Sequence, residues 1–377
     1  MKDKEILVLK AWPVVGIILI QGALLLAHWF IGHTWIAFWW PMSGTVTLAL
    51  RTMLTVLAFS FVAAALLGFL SAHRLVSLLY WLASIWLGFF NFFFWAACLC
   101  WLSLPVLHLA GVQPERPLIA ATLFGLAALT AIYGLLNAFW IRVRRIAVEL
   151  DGLPDSWRGR TALVVSDLHL GHINGSTFSS RVAALGSELN PDIVFFPGDL
   201  FDGMMAGAAA LAAPLGQLAP PFGMFASTGN HDEFGNTALY ADALNSAGIR
   251  VLANEKVTVD GLEIVGVNYG DAGYPIRFQA TLKSLRPETG RAGILLNHVP
   301  ARLALAEQAG IGLQLSGHTH GGQIFPFTWF TRRAFGKYTY GLQRFGALQI
   351  YTSSGAGSWG PPMRVGTQAE IVLLSFE

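Results

Sequence analysis

The chain has 377 residues, of which 54% are apolar and 12% charged, with a formal net charge of +2. An ordinary soluble domain carries about 25% charged residues, so this composition excludes a globule that is water-soluble throughout, and it equally excludes a disordered or fibrous chain. The small net charge gives no reason to expect a nucleic-acid partner, but it hides an asymmetry: residues 1–150 hold nine Lys/Arg against four Asp/Glu, and residues 151–377 hold fifteen against eighteen.

From Trp12 to Ile31 no charge interrupts a run long enough for a helix to cross a hydrocarbon core of about 30 Å, which takes roughly 20 residues. Lys2, Lys4 and Lys10 ahead of it would also suit a cleaved signal peptide. Against that, the run is too long and ends in His28-Trp29-Phe30, bulky where a cleavage site needs small residues. Further uncharged runs span 52–71, 75–104 and 118–140. About four spans are therefore expected, all helical, because lipid offers backbone polar groups no other partner. The stretch Trp35 to Leu50, with Trp35, Trp39, Trp40 and Pro41, reads as an interfacial segment with an aromatic belt. Lys2, Lys4, Lys10, Arg74, Arg142, Arg144 and Arg145 fall on one face and only Arg51 and Arg116 on the other. The positive-inside rule then puts both termini in the cytoplasm; a fifth crossing at 35–50 or a hairpin within 75–112 would reverse this. His28, His33, His73, His108 and Asn91 are scattered, so the spans read as an anchor and not as a transport path. The only cysteines, Cys98 and Cys100, lie in an apolar run, so no disulfide framework supports the polar half, in keeping with a reducing compartment.

The composition changes after Arg145. The expected organisation is a membrane domain over 1–145, a linker over 146–160 containing Asp151-Gly152-Leu153-Pro154, and a soluble domain over 161–377. In the soluble part, strand-length apolar runs at Ala162–Val165, Ile193–Phe196, Met224–Ala226, Ile264–Val267, Ile294–Leu296 and Leu313–Leu315 alternate with helix-like stretches near 178–189, 236–247 and 300–309. That alternation predicts an α/β sheet with helices on its faces. The Ala-rich stretch near 206–213 reads as plain helix.

The residues just after the strands carry the chemistry. In order come Ser-Asp167-Leu-His169-Leu-Gly, Gly-Asp199-Leu-Phe-Asp202, Gly-Asn230-His231-Asp232, Asn297-His298 and Gly-His318-Thr-His320-Gly-Gly-Gln. Each cluster lands at a strand's carboxyl end, where open α/β sheets bind ligands. Five of the six histidines after residue 151 fall in these fragments, leaving only His172 outside. Carboxylates and neutral imidazoles suit borderline divalent ions such as Mn, Fe, Zn or Co, and one aspartate can bridge two of them. Residues i and i+2 of an extended segment share a face, which lets Asp167 with His169, and His318 with His320, act as pairs.

The five-part pattern resembles the calcineurin-like metallophosphoesterases over about residues 160–377. The opening Ser-Asp-Leu-His-Leu-Gly, the Leu-Ser-Gly-His-Thr-His-Gly-Gly-Gln stretch and the closing Ser-Ser-Gly-Ala-Gly-Ser-Trp-Gly-Pro-Pro-Met-Arg are similar to the membrane-associated YkuE-like and transmembrane metallophosphoesterase-domain branch. The resemblance implies a four-layer α/β/β/α sandwich and two divalent metals. Asp167, His169 and His320 would hold one ion, Asn230, His298 and His318 the other, and Asp199 would bridge them. It further implies that His231 stays free of metal, meets the substrate phosphate and protonates the leaving oxygen, with Asp232 orienting it and Asp202 as support.

The expected function is a membrane-anchored hydrolase of a phosphodiester or pyrophosphate bond, with a lipid-linked substrate such as UDP-2,3-diacylglucosamine. The expected place is the bacterial cytoplasmic membrane, with the catalytic domain on the cytoplasmic side and membrane lipids as neighbours. A general phosphodiesterase on soluble esters and a non-catalytic membrane scaffold are the alternatives; a transporter would need paired or buried charges within the spans. Arg332, Arg333, Lys337 and Arg364, after the last ligand pair, are expected near substrate oxygens, with a solvated loop face as the rival reading. Phe325, Phe327, Trp329 and Phe330 either face the bilayer or pack on the domain.

Overall fold

The computed structural model describes residues 2–39, 42–113, 115–204 and 206–377, with side chains from residue 14 onward. Trp40 and Pro41 of the expected interfacial segment, and the side chains of Lys2, Lys4 and Lys10, lie outside what is described. The chain divides into two units, Met1–Tyr133 and Gly134–Glu377.

The first unit is built from α1 (Lys2–Phe38), α2 (Gly44–Leu70), α3 (Arg74–Leu109) and α4 (Arg116–Phe139), and each is long and apolar enough to cross a membrane. This is a membrane protein with four span candidates, as the uncharged runs predict. The stretch Trp35–Leu50 is divided between two helices: Trp35 is in α1, packed edge-on against Phe124 at 5.0 Å, and Gly44–Leu50 opens α2. The helices meet through small residues. Ala58, Ala64 and Gly68 of α2 and Ala83, Ser84, Gly88, Ala96 and Ala97 of α3 are buried, which is how lipid-embedded helices approach closely. Two of the histidines in this unit pack against aromatic rings, His28 accepting from Trp86 Nε1 at 2.9 Å and His33 stacking on Trp29 and Trp101, while His73 caps α3.

Among the described residues, the second unit has twelve strands in two six-stranded sheets. They are β1 (Arg142–Val148), β2 (Thr161–Val164), β3 (Ile193–Pro197), β4 (Met224–Ser227), β5 (Ile249–Val251), β6 (Glu255–Val259), β7 (Leu262–Gly266), β8 (Gly293–Leu296), β9 (Leu313–Ser316), β10 (Gly341–Phe345), β11 (Leu348–Thr352) and β12 (Glu370–Phe376). One sheet runs β1-β12-β2-β3-β4-β5 and the other β10-β11-β9-β8-β7-β6. The core strands β2-β3-β4 and β7-β8-β9 are parallel within their sheets. The helices are α5 (Ser176–Ser187), α6 (Ala208–Ala212), α7 (Asn230–Phe234), α8 (Thr237–Ser246), α9 (Tyr269–Ala272), α10 (Pro275–Leu285), α11 (Leu303–Gln308) and α12 (Phe327–Phe335). The Ala-rich stretch is helical only as far as Ala212 and then tightens into a 3-10 turn over Ala213–Leu218.

Strand periodicity of two builds the layers. Ala162, Val164, Ile193 and Phe195 meet Ile264, Ile294, Leu296 and Leu313 in a core between the sheets. The alternate residues Leu163, Val165, Val194 and Phe196 pack outward on Val182, Leu215, Tyr240 and Leu244 of the first helical layer. Val265 and Leu295 do the same on Phe278, Leu282 and Leu303 of the second. The result is the α/β/β/α sandwich. The expected linker carries part of it: β1 pairs in parallel with β12 from Arg142↔Glu370 to Val148↔Phe376. Its three arginines sit on an edge strand, where cations discourage further strand addition.

Candidate metal centre

Parallel pairing aims the carboxyl ends of β2, β3 and β4 the same way, and likewise β8 and β9, so the five motif loops converge. Backbone bonds lock them together. Asp167 N–H donates to the Gly198 carbonyl at 3.2 Å, His169 N–H to Asp199 at 3.1 Å, and Gly317 N–H to His298 at 2.9 Å. The two sheets are tied by His318 N–H donating to Asp167 Oδ1 at 2.9 Å. Five of the clustered side chains stand on left-handed backbone, Asp167, His169, Asp199, His318 and His320, with φ between 46° and 70°. Non-glycine residues rarely adopt this conformation, and at about 1–3 kcal/mol each it is strain that the surrounding structure enforces. Glycine is required at the closest approaches. A Cβ on Gly317 would lie 2.0 Å from Asp167 Oδ2, and one on Gly229 would lie 2.1 Å from Asp199 Oδ1.

Among the described residues three groups could hold an ion, the donor atoms within each lying within 4.8 Å of one another: Asp167/His169/His320, Asp199/His298/His318 and His169/Asp199/His231. The pairwise distances are short. His169 Nε2 is 3.0 Å from His320 Nε2, His320 Nε2 is 3.5 Å from Asp167 Oδ1, and His318 Nδ1 is 3.0 Å from Asn230 Oδ1. Asp199 Oδ2 lies between the groups, 3.8 Å from His169 Nε2 and 3.1 Å from His298 Nε2. His298 donates Nδ1–H to the Pro197 carbonyl at 2.9 Å, while its buried Nε2 has no hydrogen-bond partner despite the nearby carboxylate. A buried ring nitrogen 3.1 Å from a carboxylate oxygen is a place for a cation, either its own proton or a metal that displaces it, so the donor set fits divalent metal.

The electrostatics agree. Burial holds His169 down to about 3 and His318 down to about 4, and it also depresses His320, so all three imidazoles stay neutral and available. Burial opposes charge on Asp199 too, but His298 beside it outweighs that and keeps it ionised. Burial raises Asp167 to about 6. For His298 burial works against the proton, yet Asp199 and Asp167 prevail and lift it to about 9.

His231 lies at the rim. Its N–H donates to Asp199 Oδ1 at 2.8 Å, and its Nδ1 faces the Asp202 carbonyl at 3.0 Å. Its ring is flanked by His169, Phe234 and Trp359 at centroid distances of 4.8, 5.5 and 5.6 Å. The expected Asp232–His231 pair is not formed. Asp232 accepts instead from Phe201 N–H and Gly229 N–H, both at 2.9 Å, and staples two motif loops. Neighbouring residues on a helix point about 100° apart, so the residue after His231 in α7 cannot face the same ring. Burial raises Asp232 to about 7. Asp202 supports His231 through its carbonyl, while its carboxylate accepts from Met204 N–H at 3.0 Å.

Arg364 does not face substrate. It is fully buried, donates to the carbonyls of Gly355, Gly357 and Gln368, and lies 3.3 Å from His320 Nδ1. Arg332 and Arg333 are exposed in the last turn of α12, and Lys337 donates to the Arg344 carbonyl at 3.2 Å. Two contributors carry no sequence signal. Ser166 donates to Asp167 Oδ2 at 2.5 Å, and the buried Glu370 accepts from Tyr340, Tyr351, Ser353 and the Ser354 backbone behind the site.

The family model described as calcineurin-like phosphoesterase matches residues 160–322. A transmembrane protein with metallophosphoesterase domain from Danio rerio is 34% identical over 262 residues, 65% of this chain and 60% of that protein. An uncharacterized metallophosphoesterase from Aquifex aeolicus is 32% identical over 258 residues, 67% of this chain and 98% of that one. The uncharacterized metallophosphoesterase YkuE from Bacillus subtilis is 31% identical over 253 residues, 64% and 87% of the respective chains. This chain therefore spans less than two thirds of the Danio rerio protein and nearly all of the Aquifex aeolicus one.

Proposed function

The chain belongs to the calcineurin-like phosphoesterase family, and from that membership we propose that it is a membrane-anchored two-metal hydrolase of phosphodiester or pyrophosphate bonds, acting on a lipid-linked substrate such as UDP-2,3-diacylglucosamine. The observation that carries this reading is the convergence of the Asp167/His169/His320 and Asp199/His298/His318 donor groups at one set of sheet ends, with His231 at the rim. Asp167, His169 and His320 would hold one ion, Asn230, His298 and His318 the second, and Asp199 both. The ions, drawn from Mn, Fe, Zn or Co, would supply Lewis-acid stabilisation of phosphoryl charge and acidify water near neutral pH.

The chain's own groups do the rest. Nδ1–H of His231 donates to the Asp202 carbonyl, which fixes the ring and leaves Nε2 to hold a proton for the departing oxygen. Arg332 and Arg333 offer cations to phosphate oxygens outside the cluster. Residence in a bacterial cytoplasmic membrane with the catalytic domain in the cytoplasm is supported by Arg74 at the start of α3 and by Arg142, Arg144 and Arg145 after α4, against Arg51 and Arg116 near the opposite helix ends.

Ligands bind metal only when deprotonated. With His298 lifted to about 9, metal uptake above pH 6 must displace its proton. Apparent metal affinity is expected to climb by up to about tenfold per pH unit between roughly 6 and 9 and then level off, as a chelator-competition titration would read. Affinity flat over that window would contradict the ligand role of His298. The function itself is tested by assaying the Mn-loaded full chain against bis-para-nitrophenyl phosphate, para-nitrophenyl phosphate and UDP-2,3-diacylglucosamine. Turnover of the glycolipid well above the soluble esters is expected. Turnover of the soluble diester alone would reduce the reading to a general phosphodiesterase, and no turnover of any would favour a scaffold.

A further inference from the structure

Beside the His318–His320 loop, α12 presents an exposed aromatic surface. Phe327, Trp329 and Phe330 are 53%, 61% and 55% exposed, and Phe325 just before them 51%. Phe330 contacts both of its aromatic neighbours, at 6.4 and 5.0 Å between ring centroids. Arg332 and Arg333 close the helix. The inner side of this helix touches the site: Phe335 lies edge-on to His318 at 6.1 Å, and Thr328 packs against Gly322 and Gly366.

This surface is tied to the last turns of α4. Arg364 N–H donates to the Gly134 carbonyl at 2.9 Å, and Asn137 Nδ2 donates to the carbonyls of Arg364 and Thr367, both at 2.9 Å. Thr367 Oγ1 and Val365 N–H in turn donate to the Gln323 carbonyl, just after the ligand loop. The approach is close enough that a Cβ on Gly134 would lie 2.8 Å from Val365 Cγ2. Gly134 is five residues before Phe139, about 7.5 Å down the helix axis. A helix of 24 residues is about 36 Å long, enough to cross a hydrocarbon core of about 30 Å with its last turns near the boundary. The Met363–Thr367 loop, and α12 packed on it, therefore stand beside the last turns of α4, Gly134–Phe139.

We propose that α12 is an interfacial helix: its aromatic side chains enter the surface of the same bilayer that the chain's own helices cross, and Arg332 and Arg333 meet anionic lipid phosphates there. Aromatic side chains joined to arginines on a short helix are the composition that lies in such an interface. The metal loops are thereby held beside the headgroups. This deepens the lipid-linked reading of the site and rests on it for its purpose, but not for its test.

The full-length protein, with Cys98 and Cys100 replaced by serine, is given a single cysteine by Phe327→Cys, Trp329→Cys or Glu288→Cys and labelled with an environment-sensitive fluorophore. Glu288 is the exposed reference, in the loop before the amino end of β8 and so at the sheet edge opposite the metal loops. Each protein is reconstituted in phosphatidylcholine/phosphatidylglycerol vesicles with and without doxyl-labelled lipid. Labels at 327 and 329 are expected to lose roughly half their fluorescence or more to the doxyl lipid, and the label at 288 little, because an interfacial helix buries its apolar face about 5–10 Å into the boundary between headgroups and acyl chains. Quenching at 327 and 329 no greater than at 288 overturns the proposal. Because quenching reads immersion and not turnover, it stands or falls separately from the hydrolase assay.

Discussion

Asp199→Asn is expected to abolish hydrolysis, lowering kcat/KM by roughly a thousandfold or more, about 4 kcal/mol of transition-state stabilisation, which is the scale of a metal's contribution. Asp199 is the donor that lies between the two groups, 3.1 Å from His298 Nε2 and 3.8 Å from His169 Nε2 through one oxygen, while its other oxygen accepts the His231 N–H at 2.8 Å. Asparagine retains a shape but presents one neutral oxygen, and its amide would set N–H groups against either the imidazoles or the His231 backbone. The loss should appear equally with every substrate, because it removes what all of them share. Steady-state kinetics with added Mn measures it; activity within tenfold of the parent would mean that Asp199 is not shared.

His231→Ala is expected to cost about 10²–10⁴-fold in kcat while leaving metal content unchanged, the range for loss of a positioned proton donor. The deficit should depend on the leaving group. An alkoxide leaves poorly without a proton, whereas para-nitrophenolate needs little help, so the nitrophenyl esters should show the smaller loss. His231 also forms one of the three groups that could hold an ion, with His169 and Asp199. Loss of an ion in the variant would make His231 a ligand, and unchanged turnover would remove it from the reaction altogether.

The residue types that gather at the centre are legible in the sequence because each comes directly after a strand, and parallel strands leave their carboxyl ends only one place to meet. The sandwich arises from the same alternation that sends Phe195 inward and Phe196 outward. Orientation is harder to read. His231 and Asp232 are adjacent in the chain, but the helical turn of α7 gives the first to the site and the second to the Phe201 and Gly229 backbones. Arg364 reads as a free cation in a Pro-Pro-Met-Arg stretch, and nothing local reveals that its guanidinium is enclosed by carbonyls. The strand at Arg142–Val148 is obscured by its own arginines, which look like a membrane anchor signal and serve equally well on a sheet edge. Glu370 is buried by tyrosines that lie 19 and 30 residues away in the chain, beyond any spacing rule.

Metal content bears most directly on the whole account. The purified full-length protein is loaded with Mn, freed of unbound metal and analysed by inductively coupled plasma mass spectrometry. Two ions per chain are predicted. One ion or fewer, with the protein folded, would contradict the shared centre built on Asp199.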